Sequence, residues 1–218
     1  MSVATPTQRK GKSEATLRAL GVGINSSLPL IESEHETRLR TEEELFQRLV
    51  ALWAVAGTAH LPDNDFFRAY LVESDVTSWL SKRERNFLLS DKRKESERIH
   101  FSWQIESLYF LGWCGGIVPK LEIPTQLSSV GAFMHLFPQE GEDLKKLRAA
   151  ISLRSVGEVL DWSDLLYRLH WAVRQESIDG ASPAHMVVPG AVQEWHRAVN
   201  WMTRYDDQED WDHVGTDT

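Results

Sequence analysis

The chain has 218 residues, a formal net charge of −8 and a sequence pI near 5.5. This acidic balance argues against general nucleic-acid binding, which normally requires a basic surface. Hydrophobic residues make up 42% of the chain and include nine tryptophans and eight phenylalanines, enough for a substantial core. We therefore expect one folded domain rather than a disordered chain or two domains.

The sequence also bears on the compartment. It does not begin with a charged segment followed by an apolar core, as a signal peptide would. No apolar run approaches the roughly 20 residues that a membrane-spanning helix needs. The single cysteine, Cys114, lies in an apolar run, and we interpret it as a buried, inert thiol. These features favour a cytoplasmic protein without membrane association.

The beginning of the chain is predicted to be loosely organised. Residues 1–12 are small, polar and basic, and are expected to form a mobile basic tail ahead of a single helical domain over residues 13–218. Ser13 is predicted to cap a short helix that Gly21 ends. Pro29 then favours extended backbone at the residue before it.

A strongly periodic helix follows. Thr41 and Glu44 have the spacing of a capping box, and apolar residues recur at three- and four-residue intervals over 42–59. Shorter helices are predicted over 63–72 and within 75–89. Each of these segments has an apolar face that needs a partner, which favours a multi-helix core.

The middle of the chain contains the segment that we predict to be the central helix. It covers 92–114, with a charged front half and an aromatic back half, and Gly115-Gly116 would end it. Residues 117–127 are interpreted as a connection with at most a short strand. Short helices are expected near 128–137 and 141–152.

Two long helices are predicted in the last third of the chain. Ser155 and Glu158 form a second capping box at the start of the first. A turn or loop is expected over 178–183. Pro189 suits the first position of the second helix, which holds residues 192–202.

The chain beyond Tyr205 is acidic but still contains Trp211 and Val214. Because a solvated tail would not need these apolar residues, we expect the acidic segment to fold back onto the body. Alternation typical of strands is almost absent. The predicted fold is therefore all-α: a single compact domain of roughly seven to ten helices, with little or no sheet.

The last two long helices interleave polar and aromatic residues, and their short connection predicts antiparallel neighbours. Helical spacing places His170 one turn before Arg174, and His196 one turn before Asn200. With the tail and the predicted central helix, they supply the candidate site. Its residues are Glu106, Arg168, His170, Trp171, Arg174, His196, Arg197, Asn200, Trp201, Asp212 and Asp217.

Three interpretations of this cluster remain open. Each histidine and arginine can be paired in a structural network that holds the tail. The same groups can line a groove for a protein or an anionic ligand. A histidine oriented by an aspartate can act as a general base. No spacing typical of a metal site, nucleophile elbow or phosphate loop is present, so no metal or cofactor is expected.

Glu106 lies among apolar residues of the predicted central helix. If it is buried, it must either form an ion pair or keep its proton with a raised pKa. We favour an ion pair with Arg168 or Arg174 over a catalytic carboxylate.

Several of these segments together resemble a known family. They are Leu20–Asn25 with Leu28-Pro29 and Ile31-Glu32, Trp103 with Glu106, Leu160-Asp161 with Asp164–Trp171, His196–Ala198 with Asn200-Trp201, and Trp211-Asp212 with Thr216–Thr218. In these blocks the chain resembles the uncharacterised bacterial family catalogued as domain of unknown function 4272. The resemblance implies one helical domain and no established activity, cofactor or catalytic residue. His213 stands where the family tends to have a further acid, which weakens any acidic metal site in the tail.

Two functions are consistent with these observations. The first is a cytoplasmic, non-enzymatic protein-interaction module, for instance an immunity-type or regulatory partner, whose acidic surface would steer a basic protein. The alternative is a hydrolase or small-molecule-binding enzyme that uses the neighbourhood of His170, His196 and Asp212. Because no catalytic signature is present, we favour the first; the oligomeric state stays open.

Overall fold

The computed structural model describes residues 3–180 and 187–218. Over these ranges the chain forms a single compact helical domain without a β-strand, as predicted. The α-helices are α1 (Pro6–Ala19), α2 (Glu42–His60), α3 (Phe66–Glu73), α4 (Lys82–Leu89), α5 (Glu95–Ser102), α6 (Gln104–Cys114), α7 (Lys145–Ala150), α8 (Val156–Ile178) and α9 (Pro189–Met202). Short 3₁₀ helices lie at Thr77–Trp79, Met134–Leu136, Tyr205–Asp207 and Trp211–His213.

Helix α2 forms the centre of the larger hydrophobic core. Its capping box is present as predicted, with Thr41 and Glu44 exchanging hydrogen bonds. Leu45, Leu49 and Leu52 are fully buried because α2 packs against α3, α4, α5 and α6. The periodic apolar pattern that predicted the helix is therefore its contact surface.

The predicted single helix over 92–114 is wrong, because the segment forms α5 and α6 with a break at Trp103. Both parts pack against α2, but their other neighbours differ. Phe101 of α5 stacks on Phe87, with ring centroids 4.4 Å apart, whereas α6 packs between α2 and α9. Cys114 at the end of α6 is buried, and burial raises the pKa of its thiol, as expected for an inert residue.

The prediction of a mobile tail is also wrong over residues 6–12, because α1 begins at Pro6. Thr5 and Gln8 form a capping box at its start, and Pro6 occupies the first helical position. Ser13 lies inside this helix rather than capping it.

Arg9 explains why this basic segment is ordered. Its side chain is only 1% exposed, and it donates hydrogen bonds to Asp161 of α8 at 2.9 Å and to Glu34 at 3.2 Å. These ion pairs attach α1 to α8. Composition alone suggested a solvated tail because both partners are distant in sequence.

The smaller elements follow the predictions only in part. The region 75–89 contains a 3₁₀ helix and α4, but 128–137 contains only the 3₁₀ helix Met134–Leu136. The predicted loop over 178–183 begins inside α8, and its residues 181–183 lie outside the described ranges. None of the described helices has both the length and the apolar character that a membrane span requires.

The acidic end folds back onto the body, as predicted. Trp211 is 3% exposed and meets Trp201 edge to face, with ring centroids 5.9 Å apart. The guanidinium groups of Arg48 and Arg197 lie over its ring at 4.7 and 4.4 Å from the centroid. The tail therefore belongs to the domain and contributes to its clefts.

Candidate functional site

Helices α8 and α9 carry most of the predicted site residues and pack against each other. Helix α8 begins at the predicted capping box of Ser155 and Glu158, and α9 begins with Pro189 in its first position. His170 in the middle of α8 meets His196 in the middle of α9. The two histidines are therefore adjacent, as the helical spacing predicted.

The two histidines form a buried pair. Their Nδ1 atoms are 2.9 Å apart, and the rings meet at an interplanar angle of 85°. Burial, and then the charge of Arg174, lower the pKa of His170 to about 4. Burial, and then His170, lower the pKa of His196 to about 3. Both rings are thus neutral near pH 7, and one Nδ1–H donates to the other Nδ1.

A cleft of about 570 Å³ opens beside this pair, and we call it the α8–α9 cleft. Ser163, Tyr167 and Arg174 of α8 share it with His196 and Asn200 of α9. The extended segment after Pro29 and the chain beyond α9 complete the walls. The lining residues are Pro29, Leu30, Ile31, Glu32, Ser163, Tyr167, Arg174, His196, Asn200, Thr203, Tyr205, Asp217 and Thr218.

Two of the predicted polar residues have defined partners at this cleft. Arg174 donates to the backbone carbonyl and hydroxyl of Thr218, at 3.2 and 3.0 Å. Asn200 donates from its side-chain amide to the carbonyl of Gly215 at 2.9 Å. Among the described residues, no hydrogen bond reaches Nε2 of His196 or the side-chain carbonyl of Asn200. Both residues are nevertheless at least 95% buried, so these atoms are placed for a ligand.

Tyr205 lines the cleft from a strained segment. The neighbouring residues Arg204 and Asp206 have positive φ angles of 55° and 57°, which residues other than glycine rarely adopt. Arg204 is held there by two hydrogen bonds to the Glu44 carboxylate, at 2.7 and 2.8 Å. Such strain persists where surrounding contacts impose it, and it is often found at binding sites.

Helical periodicity divides three of the predicted α9 residues between two clefts. His196 and Asn200 face the α8–α9 cleft, whereas Arg197 faces a second cleft of about 320 Å³, which we call the tail cleft. The tail alternates in the same way, with Asp212 in the tail cleft and Asp217 in the α8–α9 cleft. The tail cleft is lined by Arg83, His100, Trp103, Gly190, Gln193, Glu194, Arg197, Asp212, Val214 and Thr216.

The predicted association of Asp212 with the two histidines is wrong. Its carboxylate accepts a hydrogen bond from the Ser81 hydroxyl at 2.6 Å and another from the Arg83 backbone N–H at 2.9 Å. It therefore caps the start of α4 instead of orienting a histidine. Of the acids in the tail, Asp217 lines the cleft that His196 lines.

The predicted ion pair of Glu106 is also wrong. Its buried carboxylate accepts hydrogen bonds from the backbone N–H and hydroxyl of Ser128 and from Nε1 of Trp195. Arg168 instead forms a bidentate pair with Asp164, at 2.9 and 2.7 Å. Asp164, four residues away on the same helix, therefore pairs with Nε and Nη2 of Arg168, while the buried Nη1 has no hydrogen-bond partner among the described residues.

Neither predicted tryptophan lines the α8–α9 cleft or the tail cleft. Trp201 is buried, with the guanidinium of Arg40 at 4.9 Å from its ring centroid. Trp171 is half-buried and packs on the smaller apolar cluster that contains Leu169 and Ala172. Trp171 therefore packs α8 onto this cluster, and Trp201 packs α9 against Arg40 and the Trp211 ring of the tail.

The sequence did not single out two ionisable residues that line the tail cleft, Glu194 and His100. Burial raises the pKa of Glu194, whose carboxylate accepts a hydrogen bond from the Ser107 hydroxyl at 2.7 Å. Burial, followed by the charges of Arg83 and Arg197, lowers the pKa of His100. The spacing of Glu194 and Arg197, one helical turn apart, was the available signal. His100 and Arg83 carried none because they come from α5 and α4.

In the described parts of the chain, no three or more His, Cys, Asp or Glu side chains are grouped so as to hold a metal ion. The fold and clefts define the class: a single-domain, all-helical protein with a polar cleft between its last two long helices. The chain belongs to the family described as Domain of unknown function (DUF4272), whose model matches residues 9–214. No curated protein and no solved structure matches the chain.

Proposed function

We propose that this protein is a cytoplasmic, non-enzymatic interaction module, an immunity-type or regulatory partner that binds a segment of another protein in the α8–α9 cleft. The observation that supports this proposal is the state of the cleft floor. His196 and Asn200 are buried, are held by hydrogen bonds on one side, and retain unengaged polar atoms on the other. Neutral side chains that are already held in place suit recognition, because they lose little conformational entropy when a partner binds.

The same geometry argues against general-base catalysis. A general base works best when its pKa lies near the operating pH. The pKa values of His170 and His196 are about 4 and about 3, so both imidazoles are weak bases. The aspartate expected to orient them, Asp212, is engaged elsewhere.

The charge of the chain favours a basic partner. A net charge of −8 produces a field that attracts proteins of opposite sign and speeds their association. No metal or cofactor is part of the proposal, and nothing in it depends on nucleic acid or membrane.

One observation favours the alternative, a small-molecule-binding protein or hydrolase. The cleft volume of about 570 Å³ lies within the range of roughly 300–1,000 Å³ that is typical of small-molecule sites. Such a ligand would occupy the same walls, so the occupant of the cleft separates the two proposals.

Native co-purification with matched variants tests the proposal. The wild-type protein is expected to retain a stoichiometric protein partner. Tyr205→Ala, in the cleft, should reduce recovery by about tenfold or more. Leu127→Ala removes an exposed side chain outside this cleft and should have no effect. If the wild type carries only a small molecule by native mass spectrometry, the alternative replaces the proposal.

A further inference from the structure

Three carboxylates lie near Tyr205, and two of them, Glu32 and Asp217, line the α8–α9 cleft with it. They come from three separate segments: Glu32 from the extended region, Asp206 from the strained turn, and Asp217 from the tail. Burial raises the pKa of Tyr205, and Asp217, Glu32 and Asp206 raise it further, in that order. The three negative charges are therefore close enough to act on one hydroxyl group.

No cation of the described residues forms an ion pair with any of these carboxylates. Arg174 shares the cleft, but its guanidinium donates to Thr218. Arg204 is adjacent in sequence, yet it pairs with Glu44 and Glu209. Gathering like charges is unfavourable unless an opposite charge joins them, so this end of the cleft favours a cationic ligand.

The remaining walls suit an organic cation. Tyr167 and Tyr205 line the cleft, and a tyrosine ring attracts a guanidinium or ammonium group to its face. Deeper in the cleft, Nε2 of His196 and the side-chain carbonyl of Asn200 are unengaged within the described structure. The charged end of a long, flexible cation can lie beside the carboxylates while its stem or backbone contacts these groups.

We propose that the acidic end of the α8–α9 cleft binds an arginine or lysine side chain presented by the partner protein. Glu32 and Asp217 supply the opposite charge, Tyr167 and Tyr205 the aromatic contact, and the strained turn at 204–206 sets the position of Tyr205. This inference rests on the proposed interaction function, since it assigns the chemistry of the segment that the partner inserts.

Argininamide and citrullinamide are suitable probes, because they have nearly the same shape and only the first has a charged side chain. Binding to the full chain can be followed by NMR from the ring signals of His196 and Tyr205. Argininamide should shift them saturably, with citrullinamide at least about tenfold weaker. The double variant Glu32→Gln/Asp217→Asn should raise the Kd of argininamide by about fivefold or more.

Glu32 and Asp217 are both exposed, so the double variant should fold normally. The matched control is Asp63→Asn/Glu140→Gln, which removes two exposed carboxylates outside the cleft. It should leave the Kd unchanged. Equal binding of the two probes, or equal loss in the cleft and control variants, would overturn the inference. Calcium ions that shift the same signals more tightly than argininamide would overturn it too.

The outcomes separate this inference from the interaction function. If argininamide does not bind but the co-purified partner is still lost with Tyr205→Ala, the cationic chemistry is wrong and the interaction function stands. If free arginine binds much more tightly than argininamide, and Arg174→Gln removes the difference, the cleft also binds the α-carboxylate of arginine. It is then a small-molecule site, and both proposals fail.

Discussion

At the scale of single residues, the buried histidines show how the fold suppresses ionisation. His170 and His196 meet through Nδ1 atoms, and no carboxylate is among the causes that shift either pKa. A protonated ring would place a positive charge beside a second imidazole and near Arg174. The pair therefore holds the two helices together only while both rings are neutral.

This arrangement predicts a specific loss of stability in mild acid. The folded pKa values of about 4 and about 3 lie below the unfolded value of about 6.5. The unfolded state therefore binds more protons below pH 6.5, and stability is full above that pH and falls as pH decreases towards 4. Between pH 7 and pH 5.5, each histidine should lower the free energy of unfolding by about 1 kcal/mol.

Urea unfolding at these two pH values tests the prediction. The double variant His170→Asn/His196→Asn should lose less stability than wild type over the same interval, by about 2 kcal/mol in total. This pH interval lies above the range in which most carboxylates titrate. Subtracting the stability change of the variant from that of wild type cancels the contribution of other groups such as His100. Identical pH dependence of the two proteins would contradict a neutral buried pair.

At the scale of elements, the strained turn after α9 places Tyr205 in the cleft. Asp206 has φ 57° and ψ 28°, in the left-handed region that glycine adopts without steric cost. Asp206→Gly should therefore be more stable than Asp206→Ala by about 1 kcal/mol.

Position 85 provides the internal comparison, because exposed Arg85 lies within α4. There the order should reverse, with Arg85→Ala more stable than Arg85→Gly by about 1 kcal/mol. Thermal unfolding of the four variants measures both differences. If the alanine variant is the more stable one at both positions, the turn is not left-handed in solution.

Elements determined by local sequence could be predicted, and those determined by distant partners could not. Thr41 and Ser155 cap their helices by bonding three residues ahead, so spacing alone located α2 and α8. Helix α1 has a similar cap at Thr5, but its basic composition suggested a tail. Its order depends on Arg9 reaching Asp161, a contact across most of the chain.

The candidate site divides in the same way. Helical spacing predicted that His170 and His196 would meet, because each position follows from the period of its own helix. The partner of each acid depended on the path of the tail, which has no such period. Asp212 therefore turned out to cap α4, while Asp217 reached the cleft.

At the scale of the whole molecule, the tail joins regions that are distant in sequence. Arg48 of α2 and Arg197 of α9 both lie over the Trp211 ring, and Arg197 donates to the Trp211 carbonyl at 2.8 Å. Beyond this anchor, residues 212–218 form a wall of the tail cleft and a wall of the α8–α9 cleft. Both clefts thus depend on one buried side chain.

Replacing the anchor should therefore affect global stability and cleft structure together. Trp211→Ala removes a large buried ring, and the cavity should lower the free energy of unfolding by about 3–5 kcal/mol. Trp211→Phe retains part of the contact with Trp201 and should cost less. In the alanine variant, hydrogen exchange over 212–218 should accelerate more than exchange in α2, because the tail detaches before the core opens. Uniform acceleration across both regions would show instead that the tail and the core unfold as one unit.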